Sequence, residues 1–118
     1  MTGARHGPGP RHPVADVHAL IATAAFAYKA ATERVCQERD CNQVGAARIM
    51  RQALRTLTLD YFGYRNPPYS DGAVDDVYFL PMGDDEPWFV KLRVDVSPRR
   101  LYVSAFHPQD VPQHHRHR

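Results

Sequence analysis

At 118 residues the chain has room for one domain that buries about two-thirds of its unfolded surface, without needing a metal or a disulfide staple. Hydrophobic residues make up 43% and charged residues 24%, an ordinary globular balance that excludes long disorder. The formal charge of +2 is too small to announce a nucleic-acid partner by its sum alone, so the distribution of charge has to decide.

No apolar run approaches the roughly 18 to 20 residues of a membrane span, and the opening MTGARHGPGPRHP lacks the apolar centre of a signal peptide. The expectation is a cytoplasmic protein with no membrane partner. Cys36 and Cys41 form neither a CxxC pair nor half of a zinc site, and are expected to be thiols in a reducing compartment.

Residues 1–12, rich in glycine and proline, are read as a disordered leader because they hold no apolar cluster to offset the entropy of ordering. Pro13 suits the first position of a helix, and Val14, Val17, Leu20, Ile21 and Ala24 repeat at helical spacing. The link from Ala25 to Tyr28 is compatible with either a helical continuation or an extended segment. Thr32 to Arg39 predicts a second, mostly polar helix. Asn42 then serves as an N-cap for a third, whose apolar stripe is Val44, Ala47, Met50, Ala53, Leu54 and Leu57. Arg48, Arg51 and Arg55 fall on its other side, where solvated arginines are the commoner meaning.

From Asp60 to Asp75, four aromatics are interleaved with Gly63, Pro67, Pro68 and Gly72. The prolines and glycines predict a long irregular loop, and the aromatics predict that it is ordered against the sheet. Strands follow at Val77 to Leu80, Trp88 to Val96 and Leu101 to His107. In the middle one, Val90, Leu92 and Val94 alternate with Phe89, Lys91, Arg93 and Asp95, so the aliphatic set should face the helices. Strict alternation in the last strand puts His107 with Leu101, Val103 and Ala105 on the core side, unless a bulge re-aims it. Residues 109–118 read as a flexible tail in which His114, His115 and His117 are incidental metal binders at most. The sum is an α+β domain over residues 13–108, with three N-terminal helices on one face of a small antiparallel sheet.

The strings YSD at Tyr69, DVY at Asp76, FVKLRV at Phe89 and LYVSAFH ending at His107 resemble the MqsR family of bacterial toxins, which have the RelE-like fold. The likeness extends loosely from Val14 to His107. It implies a ribosome-independent messenger-RNA endonuclease, working without metal or other cofactor and neutralised by a DNA-binding helix-turn-helix antitoxin. In such an enzyme the ribose 2′-hydroxyl attacks the adjacent phosphate, so the site supplies a base, an acid and cations.

Lys91 keeps the family residue. Gly63 stands where the family has a lysine, Asp75 where it has glutamine, Phe89 where it has tyrosine and His107 where it has a terminal lysine. The catalytic candidates are therefore His107, Lys91 and Asp75, with imidazole able to serve as acid or base near neutral pH. Arg93, Arg65, Tyr64, Tyr69 and Phe89 are the candidates for RNA contact, Arg65 as a substitute for the missing lysine. Each has a plainer alternative: a half-exposed strand-end histidine, a solvated sheet face, tyrosines that pin a loop. Tyr78, at the start of a strand, is read as structural. The changed positions also leave open a catalytically silent relative that binds RNA or a protein.

Overall fold

The computed structural model describes residues 8–23 and 25–109; the tail histidines, the first part of the expected leader and Ala24 lie outside them. Helix α1 is Val14–Ile21, strand β1 Phe26–Ala27, α2 Lys29–Arg39 and α3 Gln43–Leu54. A 3₁₀ turn at Leu59–Tyr61 leads into β2 (Phe62–Arg65), followed by β3 (Asp76–Leu80), β4 (Trp88–Val96) and β5 (Arg99–Pro108). No helix among the described residues is long and apolar enough to cross a membrane.

The α+β class holds, with two corrections to the architecture. The sheet has five strands in the order β1-β5-β4-β3-β2, and β1 runs parallel to β5, so it is mixed and not antiparallel. The ambiguous link between α1 and α2 supplies that strand, with Leu101 N–H donating to the Ala25 carbonyl at 2.9 Å. The helices consequently do not all precede the sheet. The second correction is β2, which lies inside the expected irregular loop and pairs with β3 through an irregular register at Gly63.

The helices cover one face of this sheet. Val17, Leu20 and Ile21 of α1, Ala31 and Val35 of α2, and Ala46, Met50 and Leu54 of α3 meet Tyr78, Leu80, Trp88, Val90, Leu92, Leu101, Val103 and Phe106 in one core. Each large apolar side chain fully buried there contributes about 1.5–3 kcal/mol. Asn42 caps α3 as expected, its side chain accepting from Gly45 N–H at 2.8 Å. The stripe of α3 is rotated from the expected one. Ala46 is buried and Val44 is 67% exposed. Arg51 does not sit on a solvated face, since its guanidinium donates to the Ile21 carbonyl at the end of α1 and stacks 5.0 Å from the Phe26 ring.

The described part of the N-terminal segment lies against the sheet edge formed by β2 and β3. Arg11 and His12 donate their backbone N–H groups to the buried Asp76 carboxylate at 2.8 and 2.9 Å, and Arg65 donates through Nε and Nη2 to the Gly9 carbonyl.

Strand β4 alternates as its sequence predicts, with Trp88, Val90, Leu92 and Val94 buried. Strand β5 breaks its alternation: Lys91 pairs with Ala105 but Leu92 pairs with Val103, so Ser104 is the extra residue of a bulge. Past it Phe106 turns into the core and His107 turns out, opposite Phe89. The bulge removes the conflict that strict alternation posed.

Candidate functional site on the open sheet face

The face of the sheet away from the helices carries Phe89, Lys91, Arg93 and Asp95 from β4, flanked by His107, Ala105, Tyr102 and Arg100 across the β5 register and by Phe79 and Val77 across the β3 register. Its two ends differ in chemistry.

At the first end, Phe89 stacks on the His107 imidazole with centroids 5.3 Å apart and planes 25° apart. Phe79 packs edge-on to Phe89 at 6.2 Å, and Tyr64 lies 6.3 Å from Phe79. Tyr64, Phe79, Phe89, His107 and Gln109 line an open cleft of about 360 Å³. His107 Nδ1–H donates to the Pro108 carbonyl at 2.6 Å. In the neutral ring that donation makes Nε2 the nitrogen with the lone pair. Lys91 follows Phe89 two positions along the same face, roughly 7 Å away by strand geometry. It takes part in none of the ion pairs among the described residues.

At the other end every charge is partnered. Arg93 donates through Nη1 to Asp75 at 3.2 Å and through Nε to Asp95 at 2.9 Å, and Arg100 donates to the second oxygen of Asp95 at 2.9 Å. The Arg93 guanidinium lies 4.5 Å from the Tyr102 ring centre. Asp75 is fully buried and also accepts a short hydrogen bond from the Tyr69 hydroxyl. That bond, followed by burial and the Asp75 charge, raises the Tyr69 pKa above the usual phenol value. Burial opposes the charge of Arg93, but its bonds to Asp95 and Asp75 outweigh that and push its pKa up. Burial likewise works against ionised Asp95, and the two arginines overcome it and hold its pKa down.

The structure thus brings three of the sequence-derived candidates, His107, Phe89 and Tyr64, to one cleft and sets Lys91 on the same face two residues from Phe89. It does not bring the others to them. Asp75 faces Arg93 and Tyr69 rather than His107, Arg93 is held by two carboxylates, and Arg65 is turned to the N-terminal segment. Phe79 and Gln109 were missed. Phe79 could have been found from its alternation with Tyr78 in β3, whereas Gln109, whose amide donates to the Pro87 carbonyl at 2.9 Å, gave no sequence signal.

Gly63 has a local reason. A Cβ there would lie 2.5 and 2.8 Å from ring carbons of Phe79, so the ring that walls the cleft occupies the space of any side chain at this position. Among the described residues no group of three or more histidine, cysteine or acidic side chains is arranged to hold a metal.

No protein-family model, curated protein or solved structure matches the chain.

Proposed function

We propose that the chain is a RelE-like endoribonuclease toxin of the MqsR type, acting in the cytoplasm on single-stranded messenger RNA and held in check by a helix-turn-helix antitoxin. The observation that carries the reading is the β5 bulge, which turns His107 outward onto Phe89 beside Lys91. Imidazole Nε2 is the general base for the ribose 2′-hydroxyl or, protonated, the acid for the leaving 5′ oxygen. The Lys91 ammonium stabilises the charge that gathers on phosphate. Tyr64, 48% exposed at the rim, offers a ring on which a base stacks.

The catalyst so composed is lean. Gly63 and Phe89 bring no cation and no hydroxyl to positions where the family has both, which favours a slow enzyme. It also keeps alive a second reading, a silent relative that binds RNA without cutting it. The placement of Asp75 against Arg93, away from His107, supports that alternative.

One assay separates them. Single-stranded RNA incubated with the purified chain should yield cyclic-phosphate and 5′-hydroxyl ends, and His107→Ala should slow that cleavage by roughly 10² to 10⁴. Lys91→Ala should lower the rate and reduce the salt dependence of binding by about one counterion. Salt-sensitive binding with no cyclic-phosphate ends assigns the chain to the silent class; cleavage by His107→Ala at the parent rate removes the imidazole from the mechanism.

A further inference from the structure

Helix α2 ends in a Schellman turn. Asp40 adopts the left-handed conformation at φ 52°, and Cys41 N–H reaches back to the Cys36 carbonyl at 3.2 Å. In this motif the residue after the left-handed one packs its side chain on the residue whose carbonyl it has bonded. Here both residues are cysteine. Both are free thiols, half-buried and packed against the core. Gly45 at the start of α3 makes room for the second: a Cβ there would lie 3.1 Å from Cys41 Cβ and 3.6 Å from its sulfur. The first is reachable, because Cys36 lines an open cleft of about 900 Å³ with Tyr28, Lys29, Thr32, Arg100 and Tyr102.

We propose that Cys36 and Cys41 are a redox modification site that closes to an intramolecular disulfide by exchange with small-molecule disulfides. The Cys36 thiolate attacks one sulfur of oxidised glutathione, forming the mixed disulfide and expelling one glutathione thiolate. Cys41, deprotonated, then attacks the Cys36 sulfur and expels the second. Two protein thiols are oxidised and one glutathione disulfide is reduced to two glutathione molecules. The Schellman turn supplies the proximity that the second step needs.

The order of attack follows from environment. Burial, then the neighbouring Cys36 side chain, then the Asp40 charge raise the Cys41 pKa, so Cys41 stays protonated longer and resolves, while Cys36 meets the reagent in the open cleft. The raised Cys41 pKa also slows the closing step, because the attacking group there is the thiolate.

The full chain is equilibrated in oxidised and reduced glutathione at rising ratios, quenched with an alkylating reagent and weighed by mass spectrometry. The expected product is one species lighter by two hydrogens, with neither cysteine alkylated and no glutathione retained. Cys36→Ser and Cys41→Ser should each stop at a single mixed disulfide or remain reduced. Asp40→Asn, which keeps a residue tolerant of the left-handed conformation, should speed closure without changing its product. Alkylation of both thiols in excess oxidised glutathione overturns the proposal, as does a parent chain that carries glutathione on both cysteines without bridging them. The outcome is independent of any RNA cleavage.

Discussion

The two ends of the open sheet face are built from the same strands, β4 and β5, and from the same alternation, yet they solve opposite problems. At one end Arg93 and Arg100 are locked to Asp75 and Asp95, and a tyrosine closes over the buried carboxylate, so the Arg93 charge is balanced by two carboxylates of the protein itself. At the other, Phe79, Phe89 and Tyr64 enclose an open cleft with one imidazole, and the nearest cation on β4, Lys91, stays outside the ion-pair network. A charge satisfied by the protein's own carboxylates is a strut; a charge left beside an apolar hollow is available to a ligand. The residue types alone suggest three cations for phosphate, Lys91, Arg93 and Arg65, and the partners of the two arginines reduce that set to Lys91.

The strut reading has the largest consequence for stability. Arg93→Ala leaves the Asp75 carboxylate buried with only the Tyr69 hydroxyl and no compensating charge. Uncompensated buried charges cost about 3–5 kcal/mol, and with a quarter of the Arg93 side chain exposed (24%) a loss of about 3 kcal/mol is expected. Urea unfolding measures it, and activity per folded molecule should stay near that of the parent. An unchanged midpoint combined with weakened RNA binding would move Arg93 from strut to site and erase the contrast between the two ends.

How far this was legible in the sequence differs from element to element, for physical reasons. Strand β4 was readable because one of its faces is covered by helices, which forces a strict period of two on Val90, Leu92 and Val94. The phase of β5 was not, since a bulge at Ser104 leaves no compositional mark, and the side on which His107 emerges depends on it entirely. Helix α3 is placed correctly by Asn42, but its buried stripe is not, because Val44 in the first turn stays exposed while the small Ala46 is fully buried, and neither fate follows from the hydrophobicity of the residue. Strand β1 is two residues long and owes its existence to the edge of β5, a tertiary effect no local window contains. The partners of Asp75 and Asp76 were equally hidden. Adjacent in sequence and both buried, they point to opposite sides, one to Arg93 and Tyr69 and the other to the backbone of residues 11 and 12.

The open end can be perturbed through Gly63, the position where the resembled family carries lysine. Gly63→Lys places a Cβ inside the Phe79 ring contact, and displacing that ring should cost about 1–3 kcal/mol by overpacking. In a Phe79→Ala background the ring is gone and only the Val77 carbonyl, 3.2 Å from the added Cβ, remains close, so the same substitution should cost less there, giving a favourable coupling in a double-mutant cycle. Additive losses would show that the ring does not exclude the side chain. If the coupling is seen, the double variant also tests the site, because it offers phosphate a second cation next to the His107 cleft and should cut RNA faster than Phe79→Ala alone.

The smallest effect separates the ends by pH. Asp95 has its folded pKa depressed by Arg93 and Arg100, so its contribution is fully present above the unfolded-state pKa near 3.9 and is lost as pH falls through the lower folded value. Asp95→Asn keeps the shape but removes the charge, and for a partly exposed pair the loss should be under about 1 kcal/mol. The gap in melting temperature between parent and Asp95→Asn should therefore hold steady from neutral pH down to about pH 4 and close below it. Thermal unfolding across that range decides the matter. A gap that persists unchanged at lower pH means that Asp95 acts through its neutral hydrogen bonds and not through its charge. The arginine end would then be held by geometry alone, and the electrostatic distinction between a satisfied Arg93 and an available Lys91 would lose its footing.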